Sequence, residues 1–202
     1  MIAPVNVVFD LGGVLVAYDR TGLLESVFPD PAARAIAHAG IIGHADWMDI
    51  DRGTLRQPEA VARAHKRTGL PEADLARLFD GMLSRWVPQP ATIDLLYRLK
   101  AAGTRLFCLS NMGAESTAYL EATQTFFEAF DGIVISCQVG YCKPEPEIYT
   151  HLLKTHNLDG RRTIFIDDVD ANLTAATQFG IHPIRFESAT QCDIALRGLG
   201  CL

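Results

Sequence analysis

Short apolar runs alternate with amphipathic segments along most of the chain after residue 88. A short apolar run bounded by glycine or polar residues is typical of a buried strand, and apolar positions at helical spacing are typical of a helix. The pattern predicts strands at 105–109, 132–136, 163–166 and 182–186, and helices at 91–102, 113–123, 147–157, 171–179 and 194–198. Strands that alternate with helices predict right-handed βαβ units, and therefore a parallel sheet.

Another apolar run lies near the start of the chain. Val7-Val8-Phe9 ends at Asp10, and two glycines follow within three residues. This order predicts a buried strand that ends in a tight loop. Ligands of open parallel sheets bind at the carboxyl ends of the strands. Asp10 is therefore a candidate for chemistry, although an isolated Asp before glycines is often only a turn residue.

The segment between this strand and the alternating region shows no convincing strand at 20–87. Its pattern predicts helices at 31–39, 57–68 and 71–85, a polar turn with an aromatic residue at 45–53, and a linker at 87–90. The predicted fold is α/β, with a Rossmann-like parallel sheet core formed by residues 1–15 and 88–202. A small helical cap is inserted at 16–87, where it is expected to lie over the carboxyl end of the sheet.

Composition narrows the class of protein. The 202 residues are 49% hydrophobic and 21% charged, as in ordinary globular enzymes. The net charge of −6, with no basic stripe, argues against a nucleic-acid partner. No apolar window is long enough to span a membrane, and Met1–Pro4 lacks the basic leader of a signal peptide. The five cysteines lack ligand-like spacing, which favours a reduced, cytoplasmic protein.

Polar residues follow the ends of three further strands. Ser110 and Asn111 follow 105–109, Lys143 lies in the loop after 132–136, and Asp167-Asp168 follow 163–166. Together with Asp10, these side chains are expected to meet in one crevice.

Each residue type in this set suits phosphoryl transfer. A carboxylate can attack phosphorus, and a hydroxyl and a Lys ammonium can hold phosphoryl oxygens. Carboxylates together with substrate phosphate bind Mg²⁺. Two adjacent carboxylates repel each other, so the Asp167-Asp168 pair favours a cation nearby, although a solvated acidic loop or a helix cap has the same sequence.

This ordered set resembles the haloacid dehalogenase-like (HAD) hydrolase superfamily, in its phosphatase branch with a small helical cap. The matching motifs are Asp10-Leu11-Gly12-Gly13-Val14-Leu15, Leu109-Ser110-Asn111, Lys143-Pro144, and Phe165-Ile166-Asp167-Asp168 with Asn172. Four motifs in order are far more specific than one. Gly12, Arg52-Gly53 and Lys143-Pro144-Glu145 are similar to bacterial α-D-glucose-1-phosphate phosphatases. The chain also looks like the N-terminal phosphatase domain of soluble epoxide hydrolases.

The resemblance implies a role for each site residue. Asp10 is the implied nucleophile. The implied ligands of a Mg²⁺ cofactor are Asp10, the Gly12 carbonyl and Asp168, with Asp167 a ligand or just behind one. Ser110 and Asn111 are implied to bind phosphate, and Lys143 to bridge phosphate and Asp10. The implied activity is Mg²⁺-dependent hydrolysis of a small phosphomonoester, with a sugar phosphate favoured, through a phospho-aspartate intermediate.

Gly12 is the departure from the family pattern. Phosphatases of this superfamily usually carry a second Asp there, which acts as general acid and base, and this help is typically worth about 10²–10⁴-fold in rate. Three outcomes remain open: substrates with good leaving groups such as anomeric or aryl phosphates, a proton from the cap or from water, or slow turnover. Sequence offers four candidates for the missing group, which are Asp19, His44, Asp49 and Asp51.

Two other functions remain open. In a 2-haloacid dehalogenase Asp10 would attack carbon without a metal; an aromatic residue would then be expected in place of Gly12, and the Asp167-Asp168 pair argues against this reading. The second alternative is a non-catalytic protein that binds phosphate esters, which the missing second carboxylate favours. The retained Asp10, Ser110 and Lys143 argue for chemistry.

Overall fold

The computed structural model describes residues 6–202. Met1–Pro4, on which the expectation about a leader peptide rests, lies outside the described residues.

Seven strands and eleven α-helices make up the described chain. The strands are β1 Asn6–Phe9, β2 Val16–Tyr18, β3 Trp86–Pro88, β4 Arg105–Ser110, β5 Gly132–Ile135, β6 Thr163–Asp167 and β7 His182–Arg185. The helices are α1 Arg20–Val27, α2 Pro31–Ala37, α3 Asp46–Arg52, α4 Gln57–Thr68, α5 Glu72–Leu83, α6 Pro90–Ala101, α7 Ala114–Thr123, α8 Ser136–Val139, α9 Pro146–Thr155, α10 Asp170–Thr177 and α11 Ala189–Gly198. A π-helical turn spans His38–Ile42, and two 3₁₀ turns span Thr125–Ala129 and Gly160–Arg162.

Five parallel strands form the main sheet, in the order β5-β4-β1-β6-β7. The central strand β1 is fully buried, as expected for a parallel strand with helices on both faces. Phe9 lies opposite Cys108 of β4 and Ile166 of β6, so the residues that follow these strands emerge at one edge. The α/β class with a Rossmann-like parallel sheet, predicted from the sequence, is confirmed.

Alternate residues of β1 face opposite sides of the sheet and enter different apolar clusters. Val7 and Phe9 pack with Leu95 and Leu99 of α6 on one face, whereas Val8 packs with residues of α9 and α10 on the other. This alternation follows from the period of two along a strand. It fixes β1 firmly, and so fixes the start of the loop that carries Asp10.

Helices α1 to α5 share a third apolar cluster of their own, which includes Leu23, Phe28, Leu75 and Leu78. The helical segment is connected to the sheet through a two-stranded antiparallel ribbon, in which Val16 of β2 lies opposite Pro88 of β3. The boundaries predicted for the cap, 16–87, fall inside this ribbon and stay a prediction.

Three local predictions were wrong. Residues predicted as a polar turn at 45–53 form helix α3, which has Asp46 and Asp49 in its first turn and the left-handed Gly53 after its last residue. The predicted linker at 87–90 overlaps strand β3, which pairs with a strand about 70 residues earlier in the chain. The last helix begins at Ala189, where Ser188 caps it, and not at 194.

Within residues 6–202, no helix combines the length and apolar character that crossing a bilayer requires.

Candidate functional site

Lys143 joins two carboxylates at the carboxyl edge of the sheet. Its Nζ lies 2.9 Å from Oδ1 of Asp10 and 2.7 Å from Oδ2 of Asp167. The same ammonium donates a hydrogen bond to the Leu109 carbonyl, with an N–O distance of 3.0 Å. All three charged residues are buried. The sequence prediction that these strand ends meet in one crevice agrees with this geometry.

Asp167 is held on both of its oxygens. The Asn172 amide donates to Oδ1 and Oδ2, each at 3.1 Å, and the backbone N–H of Val169 donates to Oδ1 at 2.8 Å. Asn172, which sequence reasoning matched to the fourth motif, therefore orients Asp167. Because both oxygens already accept hydrogen bonds, Asp167 is better placed to orient Lys143 than to coordinate a metal ion directly.

Burial and neighbouring charges have opposite effects on the pKa values of Asp10 and Lys143. Burial raises the pKa of Asp10 to about 6, and the Lys143 ammonium limits that rise. Burial alone would lower the pKa of Lys143, but Asp10 and Asp167 outweigh it and raise that pKa. Burial, with Asp167 beside it, also raises the pKa of Asp168. Three carboxylates against one ammonium leave the cluster short of positive charge.

Oxygen atoms suited to a hard divalent cation meet at this edge. Asp10, Asp167 and Asp168 each offer a carboxylate oxygen, and these atoms lie within 4.8 Å of one another. Within residues 6–202, the carboxylate of Asp168 accepts no hydrogen bond from another residue. Lys143 and the Leu11 N–H contact Asp10 through Oδ1, and the Ser110 hydroxyl also lies near this carboxylate. The donor set and its excess negative charge fit Mg²⁺.

Glycine is found at positions 12 and 13 of the first loop for different structural reasons. Gly13 has a φ of +79°, and a Cβ there would collide with the Asp168 carboxylate, so both backbone and packing require glycine. Gly12 has no such φ. A Cβ at Gly12 would lie 3.8 Å from the indole of Trp86. The Trp86 ring therefore covers the side on which a longer residue at position 12 would project.

Ser110 and Asn111 lie at the end of β4 and line the same cavity as Asp10. Asn111 donates to the Lys143 carbonyl at 2.8 Å and accepts from the Lys143 N–H at 2.7 Å. Asn111 therefore holds the loop that carries Lys143, which sequence reasoning did not foresee. The Lys143-Pro144 peptide bond is cis. The start of α7 is capped by neither Ser110 nor Asn111, since its N-cap residue is Gly113.

A cavity of about 410 Å³ opens in front of Asp10. A smaller cavity of about 80 Å³ adjoins it and extends under the helical segment. The residues that line both are Tyr18, Arg20, Asp51, Trp86 and Asn111. Apolar side chains from α3 and α5, including Trp47, Phe79 and Met82, line the smaller cavity.

An ion pair fastens α3 to the Lys143 loop. The Arg52 guanidinium donates two hydrogen bonds to the Glu145 carboxylate, at 2.8 and 2.6 Å. In the sequence, both residues are distinguished only as parts of the motifs Arg52-Gly53 and Lys143-Pro144-Glu145. Next to them, the Ser136 hydroxyl donates to the Asp51 carbonyl at 2.5 Å. The end of α3 is thus fixed against the core.

The four candidates for the missing acid–base group lie in different surroundings. Asp19 caps α1, and its Oδ2 lies 3.5 Å from Nη1 of Arg85. Nδ1 of His44 lies 3.4 Å from Oδ1 of Asp46. Neither of these lines a described cavity, and nor does Asp49, whereas Asp51 lines both.

A family model described as haloacid dehalogenase-like hydrolase matches residues 6–180. With the sheet and the strand-end cluster described above, this match means that the chain belongs to the haloacid dehalogenase-like hydrolase family. The chain is accordingly a hydrolase, and the resemblance stated from the sequence motifs is confirmed.

Three relatives illustrate the similarity. The chain is 27% identical over 195 residues, 96% of each protein, to the sesquiterpene phosphatase astK of Aspergillus oryzae. It is 26% identical over 165 residues to the mouse bifunctional epoxide hydrolase 2, covering 79% of this chain and 29% of that protein. A HAD family enzyme from Bacteroides thetaiotaomicron, solved with magnesium and inorganic phosphate, superposes with a TM-score of 0.71 at 23% identity, covering 91% of this chain and 94% of that one. The last similarity concerns the fold alone.

Proposed function

We propose that this hydrolase is a Mg²⁺-dependent phosphatase that acts on a small phosphomonoester through a phospho-Asp10 intermediate. The observation that carries the proposal is the buried Lys143 bridge between Asp10 and Asp167 beside Asp168. A phosphatase relative that matches over nearly its full length supports it.

Asp10 is the proposed nucleophile. Its Oδ1 is held by Lys143 and by the Leu11 N–H at 2.7 Å. The other oxygen is left to attack phosphorus and form the aspartyl phosphate. Lys143 and Ser110 are proposed to hold the phosphoryl oxygens, so that charge on them is stabilised in the transition state. Asn111 is proposed to hold the backbone of Lys143 in position and to bind phosphate with its remaining amide hydrogen.

The proposed ligands of the metal are Asp10, Asp168 and the Gly12 carbonyl. Among residues 6–202, the backbone N–H groups of this loop, from Gly13 to Val16, donate to the carbonyls of Leu11 and Val16 and not to that of Gly12, which leaves the Gly12 oxygen available. A bound Mg²⁺ would neutralise phosphoryl oxygens and allow the anionic Asp10 to approach an anionic ester. We propose that Asp167 supports the site by orienting Lys143.

The esterified group is proposed to enter the smaller cavity. Two substrate classes follow. A sugar phosphate is favoured by the sequence resemblance. A phosphate of an apolar alcohol is favoured by the lining of Trp47, Phe79 and Met82, since aromatic walls act mainly by burying apolar area, and by the sesquiterpene phosphatase relative. Helices α1 to α5, which supply most of this lining, are proposed to act as the cap.

An assay of phosphate release tests the proposal. The purified protein is given an aryl phosphate, a panel of sugar phosphates and an isoprenoid phosphate, each with Mg²⁺ and with excess chelator. We expect release that depends on Mg²⁺, and a rank order that separates the two substrate classes. Asp10→Asn should abolish turnover while the protein keeps its fold by circular dichroism. Full activity of this variant would contradict the proposed nucleophile.

Two further measurements, of halide release and of ligand binding, test the alternatives. If the protein releases halide from a 2-haloacid, and excess chelator does not change the rate, the dehalogenase is favoured. Tight binding of phosphate esters without turnover across the panel would favour the non-catalytic protein.

A further inference from the structure

A phosphate ester of an ordinary alcohol needs a proton on its leaving oxygen, because an alkoxide is a poor leaving group. Gly12 has no side chain, and the Trp86 indole covers the space beside it. Lys143 is committed to Asp10, Asp167 and the Leu109 carbonyl. If the proposed phosphatase function holds, neither position 12 nor Lys143 supplies this proton, which leaves the other walls of the cavity and water as its sources.

Asp51 is a carboxyl group in the right part of that wall. It lines both the cavity in front of Asp10 and the smaller cavity under the helices, and so lies at their junction. In the proposed function, the bond between phosphorus and the leaving oxygen spans this junction.

The backbone around Asp51 is fixed on both sides. Its carbonyl accepts from Ser136, the next residue is paired with Glu145, and the following Gly53 packs against the Cys137 carbonyl. Within residues 6–202, no other side chain donates a hydrogen bond to the carboxyl group of Asp51. The backbone N–H of Gly113 is a donor to this carboxyl. An anchored backbone and a carboxyl that no side chain holds suit a group that must meet a substrate atom.

The surroundings of Asp51 favour its protonated form near neutral pH. Burial raises its pKa to about 7, and the charge of Asp10 adds to the rise. Arg20, Lys143 and the backbone N–H of Gly113 oppose it. Besides burial, the charge of the Asp51 carboxylate in turn contributes to the raised pKa values of the Cys137 and Cys142 thiols.

We propose that Asp51 is the general acid of this hydrolase, supplying the function that a carboxylate at position 12 would otherwise supply. In the first step the Asp10 oxygen bonds to phosphorus and the bond to the leaving oxygen breaks, while the Asp51 proton passes to that oxygen. In the second step the Asp51 carboxylate takes a proton from a water whose oxygen bonds to phosphorus, while the bond from phosphorus to the Asp10 oxygen breaks and the Asp10 carboxylate is released. The alcohol and phosphate leave, and Asp51 is protonated again.

Other carboxyl groups are less suitable. Glu115 lines only the smaller cavity, in the first turn of α7, and does not reach the cavity of Asp10. Asp49 lies on the same helix as Asp51 but lines neither cavity. Asp49 therefore gives a matched control.

The experiment compares Asp51→Asn with Asp49→Asn on three substrates: 4-nitrophenyl phosphate, phenyl phosphate and an alkyl phosphate. These leaving groups need a proton to an increasing degree. We expect Asp51→Asn to lower kcat/KM for the alkyl phosphate by about 100-fold or more, and for 4-nitrophenyl phosphate by less than about tenfold. Asp49→Asn should match the parent enzyme on all three.

A loss of similar size on all three substrates would mean that Asp51 has only a structural role, and would overturn the inference, as would no loss on any. If the parent protein releases phosphate from none of them, the proposed function fails and the inference with it. A parent enzyme that is active leaves the two failures distinguishable.

A pH profile of the parent enzyme tests the same inference without any variant. An acid must be protonated to act, so kcat/KM for the alkyl phosphate should fall as the pH rises through about 7. The value for 4-nitrophenyl phosphate should show no such fall, although ionisation of the phosphate group is common to both substrates. Identical profiles for the two would overturn the inference.

Discussion

At the scale of single residues, the buried Lys143 matters most for stability. Its ammonium compensates two buried carboxylates, and removal of one partner of a buried ion pair typically costs about 3–5 kcal/mol. We expect Lys143→Met to lower the free energy of unfolding by an amount in that range, measured in urea without metal. Lys100→Met breaks a half-exposed pair with Asp131 and should cost less than about 1 kcal/mol. Equal losses would contradict this account.

The raised carboxyl pKa values make stability depend on pH. Asp10 and Asp51 have folded-state pKa values of about 6 and about 7, above the ordinary carboxyl value of about 4. Between about pH 4 and 7, the folded protein therefore holds more protons than the unfolded chain, and the free energy of unfolding falls as the pH rises.

Thermal unfolding in chelator from pH 5 to 8 measures this effect. We expect the melting temperature to be higher at pH 5 than at pH 8, and the difference to shrink in Asp51→Asn. A melting temperature that rises with pH in that range would show that these groups are not destabilised by burial. Mg²⁺ should raise the melting temperature more at pH 8, where its carboxylate ligands are ionised.

The cluster of charged residues could be predicted from the sequence because Asp10 directly follows β1, Asp167 ends β6, and Lys143 lies in the segment between β5 and α9. The three strands run in parallel, so the segments after them emerge at the same edge of the sheet, and the meeting of these side chains follows from topology. The position of the Trp86 indole beside Gly12 could not be predicted in this way, since it depends on a short ribbon between distant segments. The two bonds of Asn111 to Lys143 were missed for a similar reason, because hydrogen-bond partners are not visible in a pattern of residue types.

At the scale of elements, the end of α3 is the helix end that we expect to be most sensitive to substitution. Gly53 has a φ of +80°, and a Cβ there would lie 2.7 Å from the Cys137 carbonyl. Gly69, at the end of α4, has a φ of +72° and nothing within 4 Å of a Cβ. The two glycines have the same backbone conformation and differ in packing.

We expect Gly69→Ala to cost about 1–2 kcal/mol through the left-handed backbone alone. Gly53→Ala should cost more, and should also lower activity because it displaces the neighbouring Asp51. Urea unfolding and phosphate release on both variants measure these effects. Normal activity in Gly53→Ala would show that the position of α3 does not matter to the site.

Long periodic segments were predicted well, and short elements were not. The three inner strands of the sheet, β1, β4 and β6, have apolar runs that match their burial, whereas the edge strand β7 is mostly exposed. Helix α3 has only seven residues and four charged side chains, so its pattern resembled a turn, although Gly53 and the acidic first turn were available as signals. Strand β3 includes Pro88 and pairs only with another three-residue strand, which leaves almost no local signal.

At the scale of the whole molecule, the apolar cluster of α1 to α5 is separate from the two clusters of the sheet. A unit with its own core can open without the rest. We expect Leu78→Ala to lower hydrogen-exchange protection in α4 and α5 and to leave β1 and β4 unchanged. Equal loss of protection in the sheet would show that the chain unfolds as one unit. Leu109→Ala, in the sheet, provides the reverse comparison.

The contact between Gly12 and Trp86 limits the routes by which this sequence can change. An alanine at position 12 meets the indole at ordinary contact distance, but the carboxyl of an aspartate extends further and must displace the ring. Gly12→Asp alone therefore loses packing before it gains an acid, and a smaller residue at position 86 alone opens a void beside the nucleophile. We therefore expect the two positions to be epistatic: an aspartate at position 12 should cost less stability when position 86 carries a smaller residue.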